Sequence, residues 1–87
     1  MRTIYKYDLM IGYNSLYLAD EYKVIHVAEQ YGSLTMWVEQ SIQNSPSYRT
    51  FNVHGTGQPI PVDNEVHVGT ALMSSGLVWH VYEVKNG

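Results

Sequence analysis

Four histidines, His26, His54, His67 and His80, are the side chains of this 87-residue chain best placed to move protons or hold a metal near neutral pH. A zinc site would gather two or three of them with a carboxylate such as Glu83 or Asp63. No pair has the HxH or HxxxH spacing that brings ligands together on one element. Each therefore reads as a sheet histidine with one ring nitrogen hydrogen-bonded, and no metal or other cofactor is expected. His67 and His80 are expected to face each other across the last hairpin, because the intervening turn lies about midway between them.

A second chemistry is anion binding at Gly55-Thr56-Gly57. Backbone N–H groups in a glycine-rich turn can form a small anion nest, the Thr56 hydroxyl adds a donor, and Arg49 stands upstream on the same segment. The loop lacks a following lysine and helix, and it matches neither GxGxxG nor the P-loop pattern. A corner that redirects a strand is the favoured explanation of the glycines. Pro59 and Pro61 stiffen the chain just beyond, on either side of Ile60.

Nucleophilic catalysis finds little support. The serines sit in expected turns, GxSxG is absent, and the chain has no cysteine. Nothing distinguishes Glu29, Glu39 or Glu83 from solvated sheet carboxylates. A non-catalytic protein is the expectation.

The elements that position these residues follow from periodicity. Arg49, Phe51 and Val53 alternate with Tyr48, Thr50, Asn52 and His54 before the glycine loop, a strand period. Arg2–Met10 alternates similarly, Gly12, Asn14 and Ser15 read as a turn, and Leu16–Ala19 reads as a short return strand. Lys23–Tyr31 and Leu34–Glu39 form an expected hairpin around Gly32-Ser33, with Val24, His26 and Ala28 on one face and Ile25, Val27 and Glu29 on the other. Gln40–Ser47 reads as a loop, and Val62-Asp63-Asn64 as a turn. Glu65–Met73, with Val66 and Val68 inward, and Leu77–Val84 form a second hairpin across Ser74-Ser75-Gly76. No apolar pattern has helical period. The expected fold is all-β: one domain over residues 1–87, a small antiparallel barrel or sandwich of six to seven short hairpin-connected strands.

Composition narrows the function classes. Five Lys and Arg, scattered in sequence, and a net charge of −3 argue against binding a nucleic acid polymer. No stretch approaches the ~20 apolar residues of a membrane span, and the N-terminus lacks a secretory apolar run. A soluble cytosolic protein is expected. A chain this short buries only about 60–65% of its unfolded surface. Leu77, Trp79 and Val81 form a core stripe, yet Val78, His80, Tyr82 and Val84 on the other face are also apolar. That strand should be buried on both sides or meet another subunit, so a homo-oligomer is expected.

The segments MRTIYKY, IHVAEQYGSLTMWVE, RTFNVHGTGQPIP, VGT and the late GLVWHVYE together resemble a family of small uncharacterised proteins of tailed bacteriophages, classed as a domain of unknown function. The resemblance covers nearly the whole chain except Gly12–Tyr22 and Gln40–Ser47, and GTGxPIP and LVWHVYE are its specific parts. It brings no catalytic residues. It implies a phage accessory protein acting in the host cytoplasm. One such class is an oligomeric sponge that sequesters a small nucleotide-type signal of host immunity, of the cyclic nucleotide or cyclic ADP-ribose class. Arg49, His54, Gly55, Thr56, Gly57, Trp79 and His80 are the candidate ligand-binding residues. A protein-interaction module, either an inhibitor of a host protein or a minor virion or assembly component, remains the alternative.

Overall fold

Period-two alternation carries through most of the chain, and the computed structural model, which describes residues 1–42 and 45–85, contains seven antiparallel strands. They are β1 (Arg2–Leu9), β2 (Gly12–Ala19), β3 (Tyr22–Gln30), β4 (Ser33–Ser41), β5 (Pro46–Gly55), β6 (Glu65–Leu72) and β7 (Val78–Val84). Three form a sheet in the order β1-β4-β3, and four form a sheet in the order β2-β5-β7-β6. The sheets share one core and make a sandwich, not a closed barrel. Leu9, Val27, Leu34, Met36 and Val38 come from the first sheet, and Leu18, Phe51, Val53, Ala71 and Val81 from the second. Each large side chain so buried contributes about 1.5–3 kcal/mol.

Both expected hairpins form, but several boundaries differ. The first corner falls at Met10–Ile11, and β2 begins at Gly12. Asn14, expected in the turn, is a strand residue whose side chain accepts from the Met10 N–H (2.8 Å) and donates to the Met10 carbonyl (2.9 Å). β4 runs through Gln40 and Ser41, and β5 starts at Pro46, a position where a missing N–H costs nothing. The loop expected over Gln40–Ser47 is correspondingly shorter, and Gln43 and Asn44 lie outside the described residues.

Two β-bulges change which side chains face inward. In β3 the register shifts between Val24 and His26, so Ile25 is the extra residue. Val24 and Val27 therefore share the core face, and the simple alternation expected there is overturned. In β6 the shift lies between His67 and Gly69. The Gly69 backbone meets Val27 of the opposing sheet: a Cβ there would lie 2.8 Å from Val27 Cβ and closer still to one of its methyls. Only glycine permits that approach.

The twofold apolar character of LVWHVYEV has an internal explanation. β7 lies between β5 and β6, so its outer face is flanked by side chains of both. β5 ends where Gly55 pairs with Trp79, whereas β6 starts where Glu65 pairs with Val84. Residues 56–64 must therefore travel the length of β7 between these two parallel strands.

Candidate functional site

Arg49 is inward-facing on β5, in phase with Phe51 and Val53, but it lies beyond the sealed core. There the sandwich opens into a cleft of about 480 Å³ lined by Asp20, Tyr22, Val24, Arg49, Glu83 and Lys85, with Val68 at its wall. Tyr22 opens β3, and Glu83 follows Val81 on the inner face of β7. The Arg49 guanidinium stands 5.4 Å from the centroid of the Tyr22 ring. Its Nε is buried with no hydrogen-bond partner, and none of the ion pairs among the described residues includes it.

Glu83 is buried but not isolated. The Tyr22 hydroxyl donates to its Oε2, and Lys85 Nζ lies 3.3 Å from its Oε1. Burial, then the hydrogen bond to Glu83 and its negative charge, push the Tyr22 hydroxyl up to about 12, with Arg49 pulling the other way. The carboxylate is thus partly neutralised by its neighbours, and Arg49 lines the same cleft without an ion pair to it.

A second constellation lies on the outer face of the four-stranded sheet. His54 Nε2 is 2.7 Å from Glu65 Oε1, and Asn52 Nδ2 donates to Glu65 Oε2 at 3.1 Å. The Glu65 side chain is only 2% exposed. Burial alone would raise its pKa, but the hydrogen bonds from His54 and Asn52, together with the His54 charge, hold it below the usual carboxylate range. The Tyr82 ring packs edge-on against both His54 and His67.

His67 does not face His80. It pairs with Tyr82, while His80 pairs with Thr70, because the hairpin is centred on Ser75, between Leu72 and Val78, and not midway between the two histidines. A relay of hydroxyls joins them instead: His67 Nε2 to Thr70 Oγ1 at 2.8 Å, Thr70 Oγ1 to His80 Nδ1 at 3.0 Å, and His80 Nε2 to Thr56 Oγ1 at 2.8 Å. A neutral imidazole has one donor and one acceptor, so two hydroxyls satisfy His80 completely. Among the described residues no three His, Asp or Glu side chains gather as a metal site.

The glycine loop is closed by its own chain. The Gly55 N–H donates to Gln58 Oε1 (2.6 Å), and the Gln58 N–H donates to the Gly55 carbonyl (3.2 Å). A Cβ on Gly55 would stand 3.1 Å from the Trp79 ring. These contacts describe a packed corner whose first donor is already used. Trp79 itself is partly buried against the core, between two shallow cavities of about 450 and 350 Å³.

The seven candidate residues therefore fall into three places. Arg49 is alone in the inter-sheet cleft. His54, Thr56 and His80 belong to the outer histidine face. Gly55, Gly57 and Trp79 belong to the opposite end, six residues or about 20 Å along an extended strand from Arg49. The ligand-binding set read from sequence does not include Tyr22, Lys85 or Glu83, the last weighed there only as a metal or catalytic carboxylate. One signal for them existed: Glu83 continues the inward stripe of Trp79 and Val81, where a carboxylate requires partners.

A family model described as a domain of unknown function, DUF7352, matches residues 1–87. No curated protein and no solved structure matches the chain.

Proposed function

The chain belongs to this family, DUF7352, a domain of unknown function, and from that premise we propose that it is a non-catalytic binding protein whose cleft holds a small nucleotide-type anion. The observation that carries this reading is Arg49, a cation without an ion-pair partner among the described residues and with a buried, unsatisfied Nε. A buried donor left unmade costs about 1–3 kcal/mol, so the protein by itself leaves this guanidinium under-satisfied. A guanidinium fork matches two phosphate oxygens in one plane. The Tyr22 ring supplies an adjacent aromatic wall, Lys85 a second cation, and the cleft volume falls within the ~300–1,000 Å³ of small-molecule sites.

The resemblance to phage-encoded proteins supports a setting for this chemistry. The ligand would be a signal of host anti-phage immunity, of the cyclic nucleotide or cyclic ADP-ribose class, removed from the host cytoplasm by sequestration. Native mass spectrometry of protein purified gently from cells making such signals tests this. Denaturation should release a nucleotide-type molecule from the wild type and much less from Arg49→Ala. Wild type and variant that release the same molecule in equal amount would contradict a site at Arg49.

A second reading has its own observation. Met10, Ile11, Leu72 and Leu77 are exposed around the Trp79 end, far from Arg49. Such an apolar end suits a protein-interaction module that caps a host protein or joins a virion assembly. Ile11→Ser with Leu77→Ser would abolish that docking while leaving ligand binding in the cleft unchanged.

A further inference from the structure

Four strands lie at sheet edges: β1 and β3 in one sheet, β2 and β6 in the other. An edge strand offers unpaired backbone groups to any passing strand, and proteins blunt such edges with charges, prolines and bulges. β1 carries Arg2, Lys6 and Asp8, and β3 carries Lys23, Glu29 and a bulge. β6 carries Glu65 and a bulge. β2 reads GYNSLYLA, with no charge and no proline, and it pairs with β5 without interruption from Gly12 to Ala19. It is the one unprotected edge among the described strands.

The phase of its free backbone groups follows from two hydrogen bonds. The Ala19 N–H donates to Gln40 Oε1 (2.9 Å) instead of to β5. On β5, the Gly55 N–H goes to Gln58 instead of to β7. Backbone direction alternates along a strand. Both observations therefore turn the N–H and C=O groups of Tyr13, Ser15 and Tyr17 away from β5, toward open solvent. Gln40 caps the edge at Ala19, so the available run is Tyr13–Tyr17.

We propose that this run is a self-association edge: two copies pair their β2 strands antiparallel about a two-fold axis at Ser15, joining their four-stranded sheets into one. In that register each Ser15 exchanges both hydrogen bonds with its counterpart, and each Tyr13 does so with Tyr17 of the second copy. The run is thus its own complement, which an antiparallel two-fold requires. The side chains agree with the backbone. Tyr13 and Tyr17 are 70% and 55% exposed, and the Tyr17 ring is already held against Tyr48 with centroids 4.8 Å apart. Cross-strand aromatic pairs at the seam would cover this surface. With no charge on β2, superposing two copies opposes no like charges there, although the chain carries a net −3.

The seam lies at a sheet edge and the Arg49 cleft between the sheets, so the two proposals fail separately. The test is the native mass of the full chain together with hydrogen exchange. The wild type should be a dimer, with slow exchange at the Tyr13, Ser15 and Tyr17 amides. Ser15→Lys sets two ammonium groups across the axis, and should raise the dimer dissociation constant about tenfold or more and release those amides. Ser15→Thr, uncharged and well suited to a strand, should remain dimeric. A monomeric wild type with fast exchange at the three amides would overturn the proposal. So would an oligomer that Ser15→Lys leaves intact. The wild-type exchange pattern decides the matter even if the lysine variant fails to fold.

Discussion

The guanidinium of Arg49 and the ring of Tyr22 meet at 5.4 Å, and the contact joins β5 of one sheet to β3 of the other. The cleft is consequently a product of sheet packing, formed only when the sandwich closes. Tyr22 in turn donates to Glu83 of β7, so the three residues that define the cleft come from three strands.

This arrangement makes stability sensitive to alkali. Tyr22 titrates at about 12 in the folded protein against 10.0 ordinarily. Its folded pKa is the higher one, so its stabilisation is fully present below pH 10.0 and is lost as pH rises through about 12. Urea midpoints measured across that window should fall more steeply for the wild type than for Tyr22→Phe. Parallel curves would show that the hydroxyl is not coupled to folding.

Glu65 works at the other end of the scale. Its pKa is held below the usual carboxylate range by His54 and Asn52, against the opposing effect of burial. The associated stability is present above the unfolded value and is lost as pH falls through the folded one. Glu65→Gln should lower stability at neutral pH yet flatten the acid limb of a thermal-midpoint profile. An acid limb as steep as that of the wild type would assign the acid sensitivity elsewhere.

Gly69 is the tightest approach between the sheets. Gly69→Ala should cost about 1–3 kcal/mol in equilibrium urea unfolding, because the new methyl overlaps Val27. Adding Val27→Ala should make the double variant less unstable than the two single costs added together. Strict additivity would mean that the overlap is relieved by backbone movement.

The β3–β4 turn contains an avoidable strain. Tyr31 has φ 52° and Gly32 φ 82°, the two positive angles of a two-residue type I′ turn, where Asn-Gly is favoured. Tyr31→Asn should stabilise by about 0.5–1 kcal/mol. Part of the gain is offset by losing the contact of Lys6 with the Tyr31 ring, 5.7 Å from ammonium to centroid. A lowered thermal midpoint would show that the ring contact outweighs the strain.

Much of the sandwich is legible from alternation alone. The faces of β5, with Arg49, Phe51 and Val53 inward, and both hairpins follow from period two. Bulges hide the rest: an extra residue at Ile25 or between His67 and Gly69 reverses faces without changing composition. The site was harder to read because sequence proximity misleads on an extended strand. Arg49 and Gly55 share β5 yet point to opposite ends of the sandwich, while Tyr22 and Glu83 reach Arg49 from distant strands. The outer face of the last strand, with Val78, His80, Tyr82 and Val84, calls for neighbours, and β5 and β6 on either side of β7 supply them through topology that alternation does not encode.

Calorimetric titration of cyclic di- and trinucleotides and cyclic ADP-ribose isomers into the wild type, Arg49→Lys and Arg49→Ala tests the central claim most directly. The account predicts that at least one of these anions binds the wild type. Affinity should fall by about 1.5–3 kcal/mol in Arg49→Ala, the value of charge-assisted hydrogen bonds. Arg49→Lys should be intermediate, keeping the charge and losing the fork. A ligand bound equally well by the wild type and Arg49→Ala, or no binding by any member of the class, would contradict it.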